Sequence, residues 1–167
     1  MASSTVAAAE LCAQYITEHG FLDADIDSFG TILVPSGVVD AIYLPHRLGE
    51  CVIEEMDALG LFSPVVENIS NGVLTVLTDG SPTDTPVTPC PTPERPAGPS
   101  AVAELRTNAW LFRCQAIRTV RVSRIPLPGP TEAPRRWRKY PRGRDREAFA
   151  TIAELAISVG GHLTQAG

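Results

Sequence analysis

Apolar residues recur every three or four positions from Thr5 to His19. Ala8, Cys12, Tyr15, Ile16 and His19 share one side, while Glu10, Gln14 and Thr17 mark the other. That period predicts an amphipathic helix, stopped by Gly20. After the acidic run "DADID", the segments "TILV" and "VVDAIY" flank the turn "PSG" and predict a β-hairpin or two neighbouring strands. "LPHRLGECVIEEMDALG" returns to helical spacing, with Leu48, Val52, Met56 and Leu59 on one stripe and Gly60 as terminator. "VVENI" and "VLTVLT" then enclose "SNG", and Asn-Gly between β-prone runs is a strong hairpin signal.

Periodicity stops at Asp79. From there to Ser100 the chain carries seven prolines between Pro82 and Pro99 and no apolar repeat, so a loop or linker over 79–100 is expected within a single domain of 1–167. "SAVAELRTNAWLFRC" resumes a helical pattern through Val102, Leu105, Ala109 and Phe112, with Trp110 at the edge of the core. "IRTVRVSRIPLP" alternates Ile117, Val120, Val122 and Ile125 with arginines, as a half-exposed strand does. A final helix is expected after an Asp145 cap, burying Phe149, Ile152, Ala153 and Ala156 and ending at Gly160-Gly161. The order of elements predicts an α+β fold, a largely antiparallel sheet with helices packed mainly on one face.

Charge changes this picture more than composition does. Between Met1 and Pro99 two arginines face fourteen acidic residues, a net of −12, whereas from Ser100 to Gly167 twelve basic residues face five acidic ones, a net of +7. Either the halves fold against each other and neutralise, or the basic half faces an anionic partner. The sharpest concentration is "RRWRKYPRGRDRE", with seven basic residues from Arg135 to Arg146 and Trp137 and Tyr140 among them. It is read as a loop between a strand and the last helix. Arg135, Arg136, Trp137, Arg138, Lys139, Tyr140, Arg142 and Arg144 are the candidate contacts to a protein partner or to single-stranded nucleic acid, where aromatic stacking adds to phosphate attraction. Thirteen of the fourteen basic residues are Arg, a bias that a G+C-rich genome also produces.

Other chemistry finds little to work with. No apolar run reaches the ~20 residues of a membrane span, and the N-terminus has no basic region of a secretory signal. Cys12, Cys51, Cys90 and Cys114 are widely spaced with no C-x-x-C pair, so they are expected as reduced thiols in a cytoplasmic protein, with Cys90 exposed. No histidine stands near a cysteine at zinc-finger spacing. Asp23, Asp25 and Asp27 could hold a divalent cation, but an EF-hand register places Ser28 where Gly is needed and Val34 where Glu is needed. No Walker loop, G-x-G-x-x-G or G-x-S-x-G occurs. His46, at a helix start, is the best single candidate for acid–base work.

Several of these landmarks together resemble a known group. Leu44-Pro45 before a helix, Gly60 followed by Pro64-Val65 and a hairpin, a strand ending in Pro126 and Pro128, then Trp137 introducing Pro141, are similar to small proteins of high-G+C bacteria labelled bifunctional DNA primase/polymerase N-terminal-like. Primase/polymerase modules carry paired acids at a strand end that bind the metals for nucleotidyl transfer. At that place this chain offers Asp79 alone, and the alternative pair Asp23 and Asp25 precedes the first clear strand. The resemblance therefore implies a scaffold without catalysis and without a cofactor, serving as an interaction or regulatory module. Its expected partner is a protein or another copy of itself. Nucleic-acid binding is the alternative, and a metal-dependent enzyme using Asp23, Asp25 and Asp79 ranks last.

Overall fold

The structure, a computed structural model, describes residues 2–80, 99–119, 123–131 and 134–165. Residues 81–98 of the proline-rich segment, Cys90, Val120 and Val122 lie outside the described residues, as does the side chain of Val102. The elements run α1 (Ala2–His19), β1 (Asp25–Ile26), β2 (Ile32–Pro35), β3 (Val39–Leu44), α2 (His46–Ala58), β4 (Val65–Asn68), β5 (Leu74–Asp79), α3 (Pro99–Arg113), β6 (Ile117–Arg118), β7 (Arg124–Pro126), β8 (Arg135–Lys139) and α4 (Phe149–Gln165). The fold is α+β, with four helices and two antiparallel sheets of three and five strands, in the orders β1-β2-β7 and β6-β3-β5-β4-β8.

The larger sheet separates two cores. On one face Ile42, Leu44, Val65, Leu74 and Val76 meet α2 through Leu48, Val52 and Met56, α3 through Leu111, and α4 through Ile152, Ala153 and Ala156. On the other face Val39, Ala41 and Leu77 meet the small sheet through Ile32, Val34 and Ile125, and α1 through Cys12 and Tyr15. Three helices thus cover one face of the large sheet. Alternation along β3 and β5 feeds both cores at once, which is why these central strands are buried nearly end to end. Where α2 crosses β5 the backbones approach closely: a Cβ on Gly49 would lie 2.6 Å from Leu74 Cδ1 and 2.8 Å from Leu74 Cβ. Gly60 (φ +71°) ends α2 and Gly72 (φ +69°) shapes the β4–β5 hairpin, as their sequence contexts predict.

Five local expectations are corrected. β2 and β3 do not form a hairpin. The chain turns at Ser36 and Gly37 and passes from one sheet to the other, β2 pairing with β7 and β3 with β5. The strand expected over 117–125 is likewise divided, β6 joining the large sheet and β7 the small one. Asp145 does not cap the last helix; its N–H closes a turn onto Arg142 O, and α4 begins at Phe149. Gly160-Gly161 do not end that helix, because Gly160 lies where a Cβ would come within 2.6 Å of Cys114 Sγ, and α4 continues to Gln165. Leu59, expected on the buried stripe of α2, is exposed at its C-cap.

Two further differences bear on function. The basic segment is no loop, because residues 135–139 form β8, an edge strand of the large sheet. And α3 turns its predicted buried stripe outward. Leu111 is its fully buried contact, while Leu105 (58% exposed), Ala109 and Phe112 (74% exposed) face away from the core, with Trp110 49% exposed beside them.

Candidate functional site

β8 pairs antiparallel with β4, and its register explains where its cations go. Asn68 lies opposite Arg135, Glu67 opposite Arg136, and Val66 opposite Trp137, but Val65 lies opposite Lys139, so a bulge leaves Arg138 unopposed. A strict two-residue alternation would send Lys139 to the same side as Trp137; the bulge resets it. Arg138 then reaches Glu50 on α2 (Nη2–Oε2 2.9 Å, Nε–Oε1 3.2 Å) and Lys139 reaches Asp57, also on α2 (2.5 Å). Glu50 and Asp57 are seven residues apart, hence on one side of the helix. Arg136 Nε donates to Glu67 Oε2 across the strands at 2.9 Å. The bidentate Arg138 pair holds the Glu50 carboxyl below its ordinary range, by hydrogen bonding first, and raises the guanidinium in turn.

Trp137 points to the opposite face, into the second core. Its indole stacks on Phe21 (centroids 6.3 Å apart, planes 7° apart) and meets Tyr15 and Tyr140 edge-on. Trp137 Nε1–H donates to Tyr15 Oη (2.8 Å), and the buried Tyr15 hydroxyl donates to Pro128 O (3.0 Å). Burial pushes the Tyr140 hydroxyl pKa up, with Glu18 adding to the rise. Arg142 lies over the Phe62 ring, the Arg144 stem packs against Gly20, and Arg146 bonds His19 O and Asp79 while stacking over Phe21. Burial lowers the pKa of Arg146. The candidate residues from 135 to 144 are therefore brought together on one strand and the turn after it, where most have an intramolecular duty.

The acidic candidates are not brought together. Asp23 adopts a left-handed turn conformation (φ 59°), Asp25 pairs with Arg124, Asp27 Oδ1 accepts from the N–H groups of Phe29 and Thr31, and Asp79 pairs with Arg146 at the far end of β5. Among the described residues no group of three or more His, Cys, Asp or Glu is arranged to hold a metal ion. His46 is exposed at the start of α2, 3.5 Å (Cβ) from the position a Gly72 Cβ would take. Cys12 is buried, Cys51 and Cys114 are half-buried, and all three are free thiols; burial first, then Asp25, raises the Cys12 pKa. Among the described residues no helix is long and apolar enough to cross a membrane.

A surface that the sequence pattern had placed inside remains. Leu105, Ala109 and Phe112 form an exposed stripe along α3, and exposed Trp110 lies beyond the arginines that flank it. Arg106 and Arg113, seven residues apart, line one edge of it, with the Arg113 guanidinium 4.7 Å from the Trp110 ring centre. Neither arginine has an acidic partner among the described residues, in contrast to Arg118, Arg124, Arg136, Arg138, Lys139 and Arg146. The signal for this surface lay in the sequence: Leu111 projects well away from Leu105 and Phe112, so α3 is apolar on two sides and only one can meet its own core. Comparison of the chain with protein-family models, with curated proteins and with solved structures found no match.

Proposed function

We propose that the chain is a non-catalytic interaction module that binds a partner protein through the outer face of α3. The observation that carries this reading is the exposure of Leu105, Phe112 and Trp110 on a helix anchored by Leu111. Contiguous exposed apolar side chains rimmed by charge mark contact surfaces, and aromatic and Arg residues are the usual anchors of such contacts. Because the rim contributes Arg106 and Arg113 with no carboxylate paired to them among the described residues, the complementary surface is one that sets acidic side chains beside apolar ones. The primase/polymerase-like motifs are, on this reading, scaffold kept without paired metal-binding acids. The nucleic-acid alternative draws less support, since Arg136, Arg138 and Lys139 already meet carboxylates of the same chain.

The test is a photo-crosslinking side chain at Ala109. One discrete protein adduct is expected, lost in the Leu105→Ser/Phe112→Ser double variant and weakened by Arg106→Glu/Arg113→Glu. An adduct of twice the chain mass would identify the partner as a second copy. Absence of any adduct, or one indifferent to these variants, would refute the proposal.

A further inference from the structure

Arg47 is the sole cation among residues 2–80, and it stands in the first turn of α2, the end of a helix where a positive charge is least favourable. Nothing in the first turn offsets it. Pro45, at the N-cap, has no side chain to accept from the free N–H groups, and the first intrahelical bond is Gly49 N–H to Pro45 O. Arg47 has no acidic partner among the described residues, since nearby Glu50 is engaged by Arg138. It lines a cavity of about 380 Å³ between the start of α2, the end of α3 and the last turns of α4, and Arg113 lines the same cavity from α3. Two arginines from separate elements thus line one hollow, beside a third source of positive potential in the α2 terminus. Positive potential of this kind raises the local concentration of anions.

The remaining walls narrow the class of anion. Leu48, Leu163 and Cys114 supply an apolar side, and the exposed Gln115, held in a left-handed conformation (φ 61°), adds a neutral amide at the rim. The volume falls in the range of small-molecule sites. We infer that this cavity binds a small organic oxyanion, a phosphate or carboxylate head gripped by Arg47 and Arg113 with an apolar body against Leu48 and Leu163. Planar guanidinium forks suit either head group. The site is independent of the α3 contact surface except for Arg113, so Arg47 distinguishes the two.

The experiment is a ¹H–¹⁵N titration of the full chain at constant ionic strength with phenyl phosphate, benzoate and inorganic phosphate in separate arms. Phenyl phosphate or benzoate is expected to shift the backbone amides of Arg47, Leu48, Cys114 and Gln115 saturably, with Kd below ~1 mM and tighter than inorganic phosphate. The tighter of the two organic probes identifies the head group. Arg47→Gln, on an exposed side chain, should weaken binding at least about tenfold while leaving the Ala109 crosslink intact. Arg106→Gln should leave binding unchanged. No saturable shift, shifts spread over many surface arginines, or equal affinity for inorganic phosphate would overturn the assignment.

Discussion

Arg118 offers the most demanding test of how the two halves are joined. It sits on β6 and binds three elements at once: Nη2 to Asp40 Oδ2 on β3 (2.8 Å), Nη1 to Glu104 Oε1 on α3 (2.6 Å), and its guanidinium 3.9 Å from the Phe149 ring centre on α4. The Asp40 side chain is 4% exposed and that of Arg118 11%, so this is a buried pair, while Glu104 is 47% exposed. Arg118→Met keeps the contact with Phe149 but removes the Arg118–Asp40 ion pair. Removing one member of a buried pair typically costs about 3–5 kcal/mol, whereas the exposed Glu104 contact adds at most about 1. Against a total stability of about 5–15 kcal/mol that is a large fraction, and in a chain of this size it corresponds to a Tm fall of roughly 6–20 °C. Urea unfolding with an unchanged m-value measures it. The companion Asp40→Val/Arg118→Met removes both charges and should recover most of the loss, because an apolar pair avoids the desolvation of two ions. A single variant losing less than about 1 kcal/mol, or a double variant no better than the single, would refute the reasoning.

Two further outcomes follow from the contacts of β8. Tyr15→Phe strands both the Trp137 N–H and the Pro128 carbonyl and should cost about 2 kcal/mol by urea unfolding, with a coupling of at least about 0.5 kcal/mol to Trp137→Phe in a double-mutant cycle; additivity would refute the relay. For Glu50, whose folded pKa is depressed by Arg138, the associated stability is present above the ordinary value of 4.5 and disappears as pH falls through the folded value. Glu50→Gln should therefore flatten the acid limb of the stability–pH curve, by no more than about 1 kcal/mol because Arg138 is half exposed. An unchanged limb in urea midpoints taken from about pH 3 to 7 would count against the pair.

What the sequence discloses about this fold divides by the range of the interaction. The Asn-Gly hairpin and the Leu48-Val52-Met56 stripe are set by residues a few positions apart, and both appear where expected. β8 has a single apolar anchor, Trp137, in a run of charge that looks like a solvated loop; it is a strand because β4 pairs with it and because Glu50, Asp57 and Glu67 meet its cations across 69 to 88 residues. No window along the chain contains that information. The same holds for the separation of β2 from β3 and of β6 from β7, where local alternation is right but the choice of sheet depends on remote partners. On α3 the period is correct and its direction reversed, because two apolar sides compete and only the packing of Leu111 on the first core decides between them. Of the candidate residues, those at 135–144 do cluster, with much of their charge spent inside the molecule, whereas the apolar surface and the Arg47–Arg113 hollow needed the fold to become visible.

The late position of β8 also has a bearing on the birth of the protein. A ribosome delivers β3, α2, β4 and β5 well before residue 139, so β4 must wait with one edge open while the acidic stretch up to Pro99, at a net of −12, has no counter-charge. Mutual repulsion in that interval keeps unfinished sheets of neighbouring nascent chains apart, which is when exposed strand edges are most prone to join. Arrival of Arg136, Arg138 and Lys139 then turns three of the repelling carboxylates, Glu67, Glu50 and Asp57, into partners as the edge is closed.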